Sequence, residues 1–207
     1  MKKFFVLILS CFPYFTYSQS YAEAEKALKN IDRIEQFEQL MRDYPDWKIS
    51  LDKTLVSDSI KFPQITGGKI GDIVKKQHHS KAPKFALKIL KEVDEELCKV
   101  KYIYLDGSKL SSAKIDSIRS IILERYKNGE EFETLVKEYT MDGNSTGDLG
   151  WFYKGMMVDD FDAAVRTRKQ GEIFTVDVPQ NNWYYVVLKT HSNKTEPVKL
   201  GIKIKYF

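Results

Sequence analysis

From Asp142 to Gly150 the chain reads Asp-Gly-Asn-Ser-Thr-Gly-Asp-Leu-Gly, a glycine-rich loop with a carboxylate at its head. Leu149 is held there by glycine-flanked backbone, and Met157 and Phe161 follow. Those two stand four apart at the start of a predicted helix, so they share a face. On type alone, Leu149, Met157 and Phe161 read as core packing. Asp142 reads as a turn aspartate bonded to its own backbone. The remaining reactive groups form no set. His78 and His79 lie in the basic stretch Lys75-Lys76-Gln77-His78-His79-Ser80-Lys81 with no carboxylate or thiol at ligand spacing. A solvated loop is expected there, and no metal site. His191 follows a predicted strand and is expected to be exposed. No nucleophile–base set and no phosphate loop is visible.

Composition narrows the class further. Of the 207 residues 43% are hydrophobic and 30% charged, the balance of an ordinary globular chain. The net charge of +4 includes Lys2 and Lys3, and without them no concentrated basic face is in view. Nucleic-acid binding is therefore not expected. Residues 1–18 read as a signal peptide. Lys2-Lys3 begin it, Phe4 to Phe12 are its apolar run, and Thr16-Tyr17-Ser18 gives small residues at the cleavage positions. That run is too short to stay as a membrane-spanning helix, so no transmembrane segment is expected after cleavage. An exported, periplasmic location follows as the expectation. Acylation at Cys11 is the weaker alternative, because it leaves an apolar core shorter than usual. Cys98 is then the only cysteine of the mature chain, read as a small buried residue in a strand.

The elements that would position the loop are legible from periodicity. Apolar residues at Ala22, Leu28, Ile31, Ile34, Phe37, Leu40 and Met41 predict one helix from Tyr21 to Asp43. Lys84 to Lys91 and Leu97 to Leu105 predict two strands with Val93-Asp94-Glu95-Glu96 between them. Ile115, Ile118, Ile121, Ile122, Arg125 and Tyr126 predict a helix stopping at Asn128-Gly129, and Phe132, Leu135, Val136 and Tyr139 a second. Trp151 to Tyr153 is a brief extended piece, and Asp159 to Thr167 a short helix. Ile173 to Val178, Trp183 to Leu188 and Val198 to Tyr206 are strands. Residues 47–83 give a weaker signal, with a turn at Gly67-Gly68 and a strand beginning near Gly71-Asp72-Ile73-Val74.

A faint repeat runs along the chain. Phe37-Glu38-Gln39-Leu40 resembles Phe132-Glu133-Thr134-Leu135, and Gly71-Asp72-Ile73 resembles Gly171-Glu172-Ile173. Chance and a degenerate second copy both account for it. The expected division is 1–18 signal peptide, 19–97 an N-terminal helix with strands, 98–192 the main domain, and 193–207 a C-terminal strand.

The set Tyr139-Thr140-Met141-Asp142, Gly147-Asp148-Leu149-Gly150-Trp151-Phe152, Gly155-Met156-Met157-Val158, Phe161 and Gly171-Glu172-Ile173 resembles the parvulin-type peptidyl-prolyl isomerase signature in the right order. The resemblance implies an α+β fold, a small antiparallel sheet wrapped by short helices. It implies isomerisation of X-Pro bonds without a cofactor or metal. It places a proline pocket at Leu149, Met157 and Phe161. It gives Asp142 an electrostatic role beside the amide and lets Thr140 join the polar network. Where the family carries two histidines that bond each other, this chain carries Tyr102 and Tyr185. A phenol pair keeps aromatic bulk and a hydrogen bond. It lacks an imidazole's tautomers near neutral pH. The loop from Asp142 to Gly147 is also shorter than usual.

Two functions follow. One is an exported isomerase acting on proline-containing or unfolded polypeptide clients. The other is a chaperone-like module holding extended chains with little turnover. A homodimer assembled through the N-terminal half and the last strand is a third expectation.

Overall fold

The first helix begins where its cap dictates. Ser20 Oγ accepts from the Glu23 amide, and the Glu23 carboxylate accepts from the Ser20 amide at 2.9 Å, a capping box. The Ser20 amide, and then the Ser20 hydroxyl, both donating to the Glu23 carboxylate, hold it below its ordinary pKa. The computed structural model describes residues 20–76 and 84–206. The predicted signal peptide, Cys11 and the His78-His79 stretch lie outside the described residues. The chain is α+β with antiparallel strand pairing, as expected, and divides into two compact units. One is the chain up to Glu92 together with Lys199–Phe207, and the other is Val93–Val198.

In the first unit, the single helix expected from Tyr21 to Asp43 is two, α1 (Tyr21–Lys29) and α2 (Phe37–Asp43). The break has a local cause. Asn30 caps α1, and the Gln36 side chain accepts from the Asp32 and Arg33 amides at 2.8 and 3.0 Å, starting a new turn. Both helices still bury their apolar faces in one core. Leu28, Ile31 and Leu40 pack there with Ala86, Leu90, Ile202 and Ile204, which explains the unbroken periodicity. Strand β1 (Lys48–Leu55) and the short helix α3 (Pro63–Thr66) gave little signal, because β1 buries only Thr54 and Leu55. Strand β2 (Ile73–Lys76) pairs antiparallel with the start of β3 (Lys84–Asp106). That 23-residue strand replaces the two expected ones. The acidic segment 93–96 contains neither glycine nor proline, so nothing ends the extended chain. The sheet order here is β1, then β7 (Lys194–Tyr206), then β3.

In the second unit, β3 leads into α4 (Ser112–Lys127), α5 (Phe132–Tyr139), β4 (Asp148–Tyr153), α6 (Asp159–Arg166), β5 (Ile173–Val178) and β6 (Trp183–Lys189). Ser111 caps α4 by accepting from the Lys114 amide. Strand β3 pairs antiparallel with β4 and β6, and β6 with β5. One face of these strands packs Val100, Phe152, Val176 and Val187 with Val165 of α6. The other packs Ile103, Leu105 and Val186 against Ile115, Ile122 and Leu135 of the two helices. Cys98 is fully buried and donates to Asn193 Oδ1 at 3.3 Å.

The same kind of connection occurs within each unit. The Gly71 amide donates to Ile89 O at 2.7 Å and the Ile89 amide to Asp72 O at 2.9 Å. The Gly171 amide donates to Lys189 O at 2.8 Å and the Lys189 amide to Glu172 O at 2.9 Å. Both glycines have positive φ, 96° and 89°. Ile73 stands opposite Lys88, and Ile173 opposite Leu188.

Candidate active site

The glycine-rich loop is fixed to β3 at Tyr102. The Tyr102 amide donates to Gly147 O at 3.0 Å. Gly147 has φ +63°, and a Cβ there would meet Tyr102 O at 2.5 Å and a Val136 methyl at 2.9 Å. Only glycine lets the loop close at this point. Two residues later the β3–β4 ladder slips. Lys99 faces Trp151 and Lys101 faces Asp148, so Leu149 and Gly150 together oppose Val100. This bulge, with Gly150 at φ +69°, re-aims the Leu149 side chain out of the regular pleat.

Asp142 is tied from three sides. Its Oδ1 accepts from the Asn144 amide at 3.0 Å and from Thr140 Oγ at 3.1 Å. Its Oδ2 accepts from the Tyr102 hydroxyl at 2.5 Å. Thr140 Oγ in turn accepts from the Tyr104 amide, and the Met141 amide donates to Tyr104 O, so residues 140–142 are zipped along β3. Asp142 thus caps its own loop and also bonds the phenol.

Tyr102 and Tyr185 are brought together, though not as a hydrogen-bonded pair. Tyr185 stands opposite Tyr104, which puts Tyr102 on its diagonal on the same face. The rings of Tyr102 and Tyr185 meet edge to face at 5.9 Å, and Phe161 meets Tyr185 the same way at 5.1 Å. The Tyr102 hydroxyl is turned to Asp142, and among the described residues that of Tyr185 has no hydrogen-bond partner. Burial, then the bond to Asp142, pushes the Tyr102 phenol up to about 12. Burial, then the neighbouring tyrosines and Asp142, does the same for Tyr185. Both phenols are therefore neutral donors throughout the physiological range.

All seven residues singled out from the sequence fall in one place. Tyr102, Asp142, Leu149, Met157, Phe161 and Tyr185 line a cavity of about 260 Å³, and Thr140 holds Asp142 from behind. One placement differs from expectation. Met157 precedes α6, whose first residue is Asp159 after the cap at Val158, so it reaches the cavity from the entering loop and not from a helix face.

Sequence reasoning passed over other contributors. Met156, Val158 and Trp183 also line the cavity. Trp183 lies two residues before Tyr185 in β6, and period two marks the shared face. Asn144 donates to the Tyr102 hydroxyl at 3.4 Å and to Asp148 O at 3.2 Å, bracing the loop. Buried Arg119 of α4 donates through Nη2 to Val176 O, Asp177 Oδ1 and Tyr185 O at 2.8, 2.5 and 3.2 Å, fixing β5 and β6 where Tyr185 projects. Its signal was available, since Arg119 shares a helix face with Ile115 and Ile122. Fully buried Lys189 donates to Val165 O and Asn193 Oδ1, placing a cation at the C-terminal end of the helix that carries Phe161. Among the described residues no group of three or more His, Cys, Asp or Glu is placed to hold a metal. None of their helices is long and apolar enough to cross a membrane.

The PPIC-type PPIASE domain model matches residues 85–192, just over half of the chain. The chain belongs to this family. Among similar proteins, the foldase protein PrsA of Bacillus subtilis is 37% identical over 84 residues, covering 39% of this chain and 28% of that protein. The chaperone SurA of Nitrosococcus oceani is 26% identical over 196 residues, covering 84% of this chain and 45% of that protein. A crystal structure of the peptidylprolyl isomerase PrsA from Bacillus anthracis matches with a TM-score of 0.40 at 26% identity, over 48% of this chain and 43% of that one. The chain thus spans less than half the length of these relatives. Within the PPIC-type unit, the cavity sits between the Asp142–Gly150 loop, the N-terminal end of α6 and the tyrosine face of β3 and β6.

Proposed function

We propose that the Val93–Val198 unit is a peptidyl-prolyl cis–trans isomerase acting on X-Pro bonds of polypeptide clients. The observation that carries this reading is the single cavity in which Leu149, Met157 and Phe161 adjoin the Tyr102–Asp142 pair and the Tyr185 hydroxyl. Isomerisation breaks no bond and meets a barrier of roughly 18–20 kcal/mol from amide resonance. The site has only to hold the ring and favour the twisted amide over both planar forms. The apolar walls seat the pyrrolidine. As the amide twists, its carbonyl oxygen loses negative charge, and the Asp142 carboxylate, fixed by three donors, favours that loss. The Tyr185 hydroxyl is the donor left over for the substrate, and it meets the nitrogen lone pair that twisting releases.

The reading of residues 1–18 as a signal peptide supports a place outside the cytoplasm, in the periplasm of a two-membrane cell. One observation favours a second reading, a chaperone-like module. Both polar groups on the sheet are phenols, and one is already committed to Asp142. A protease-coupled assay on prolyl peptides separates the two. Turnover supports the isomerase. Absent turnover with retained suppression of client aggregation supports the holding module.

We further infer that the first unit is a degenerate second copy of the same fold. Both units run α, α, β, α, β, β, and the Gly71 and Gly171 connections match bond for bond. Phe85 stands opposite Lys76 as Tyr185 stands opposite Val176. Around Phe85 the corresponding space, lined by Phe62, Ile65 and Val74, is only about 10 Å³. Among the described residues, the space at that position has no room for a ring, which favours the second unit as the place of the reaction.

A further inference from the structure

Each unit opens on a pair of helices, and the space beside that pair is filled in one unit and open in the other. In the second unit Arg125, near the end of α4, fills it. Its Nε and Nη2 donate to Glu130 at 2.7 and 2.6 Å, and its Nη1 to the Tyr139 hydroxyl at 2.8 Å. Nη1 also meets Glu138 at 2.8 Å, and the cation lies 5.5 Å from the centre of the Tyr139 ring. The first unit keeps part of this frame without the cation. With Phe37 set on Phe132, α2 matches α5, so Asp43 stands for Glu138 and Tyr44 for Tyr139. With the C-caps Asn30 and Asn128 superposed in sequence, α1 matches the end of α4, and Ala27 stands for Arg125. At that place is a cavity of about 190 Å³, lined among others by Ala27, Leu40, Gln39, Asp43 and Tyr44. Asp43 is the only charged residue of the lining. Gln39 Nε2 donates to Asp43 Oδ1 at 2.6 Å and orients the carboxylate. Among the described residues, neither Asp43 Oδ2 nor the Tyr44 hydroxyl has a hydrogen-bond partner. Trp47 stacks on Tyr44 at 4.0 Å and holds that ring.

Resting on the reading of the first unit as a second copy, we propose that this cavity takes the guanidinium of an arginine side chain presented by a polypeptide partner. The partner's arginine supplies from outside what Arg125 supplies from within in the second unit. A planar guanidinium matches a carboxylate edge and stacks on an aromatic ring, which an ammonium does less well. Its aliphatic stem is covered by Ala27 and Leu40. The lining holds no cation to pair with an α-carboxylate, so an arginine within a chain suits it better than the free amino acid.

The test is a chemical-shift titration of the isotope-labelled full chain with N-acetyl-arginine methylamide, its citrulline and lysine counterparts, and free arginine. Saturable shifts are expected at the side-chain amides of Gln39 and Asn30 and at the Tyr44 amide. The capped arginine should bind about tenfold tighter than neutral citrulline, tighter than lysine, and more weakly as salt is raised. Asp43→Asn, at an exposed position, should lower that affinity about tenfold while leaving the urea midpoint and any prolyl isomerase rate unchanged. Ala27→Arg rebuilds the internal guanidinium and should abolish binding. Should that variant fail to fold, Asp43→Asn and Tyr44→Phe decide. Equal affinities for arginine and citrulline, an affinity indifferent to Asp43→Asn, or no shift at these residues overturns the site. Tighter binding of free than of capped arginine overturns the polypeptide as its source. Each of these failures leaves the second-copy reading standing, because that reading rests on the matched Gly71 and Gly171 connections.

Discussion

Replacing Tyr102 by Phe removes one oxygen and nothing else from the site. Every ring atom stays, so the edge-to-face contact with Tyr185 and the packing beside Val100 are kept and no cavity opens. What is lost is the 2.5 Å bond to Asp142 Oδ2 and the weaker contact from Asn144. A hydrogen bond to a charged group contributes about 1.5–3 kcal/mol. Asp142 is exposed and keeps its bonds from Thr140 and the Asn144 amide, so water can replace part of the loss. The low end of the range, about 1.5 kcal/mol, is the appropriate figure. If Tyr102 acts by fixing the carboxylate against the twisting amide, that energy belongs to the transition state, and kcat/KM falls about tenfold.

The protease-coupled assay reads the rate and a urea midpoint reads the stability, which should drop by about 1.5 kcal/mol. Tyr102→Phe with an undiminished rate and the same lowered midpoint would refute the reasoning. The phenol–carboxylate pair would then be a structural brace for the loop and no part of the chemistry.

Three further outcomes are expected. Met157→Ala, at a half-buried loop position, should lower kcat/KM about tenfold while costing no more than about 2 kcal/mol of stability, and an unchanged rate would remove Met157 from the pocket. Arg119→Met should destabilise the chain by about 2–4 kcal/mol, because buried Val176 O loses its guanidinium donor and Asp177 its partner; a urea midpoint within error of the parent contradicts this. Tyr102 and Tyr185, both raised from 10 to about 12, keep their protons longer when folded than when unfolded, so the folded state binds more protons between these values. Stability is then intact below pH 10 and falls as pH climbs toward 12, and a phenolate ultraviolet titration showing two late tyrosines checks it.

What the sequence disclosed and what it hid divide along physical lines. The Asp142–Gly150 loop was legible because its glycines and its leading aspartate mark a turn locally, although what demands two of those glycines is the distant strand β3. Gly147 is demanded by the approach of Tyr102 O, Gly150 by a bulge, and Asp142 by the turn it caps. Strand faces were legible by alternation, whereas Tyr102 and Tyr185 were named because the resemblance places the family's two histidines at those positions. The break after Asn30 was hidden because both halves feed one core, so the periodicity runs through it. The join between the two expected strands was hidden because charge was read as a turn where the residues only demanded exposure. The burial of Arg119 was signalled by its place on the helix face of Ile115 and Ile122, but its three acceptors, 57 to 66 residues away, were hidden because no local pattern announces them.

The tyrosines show why naming a position is not the same as naming its bonds. An imidazole carries its polar atoms on the ring, close to the strand, where two rings on neighbouring strands can meet. A phenol carries its single oxygen at the far end. On the same diagonal of β3 and β6 the two rings meet edge to face, and the Tyr102 hydroxyl donates to Asp142. The substitution converts a ring-to-ring bond into a phenol-to-carboxylate bond and frees the second hydroxyl. If the site turns over prolyl bonds, it does so with an anion held in place by one tyrosine and a neutral donor supplied by the other. Both phenols are held at about 12, far above an imidazole, so the rate should run flat through neutral pH. A break near the ordinary histidine pKa would mean that some other group governs the reaction.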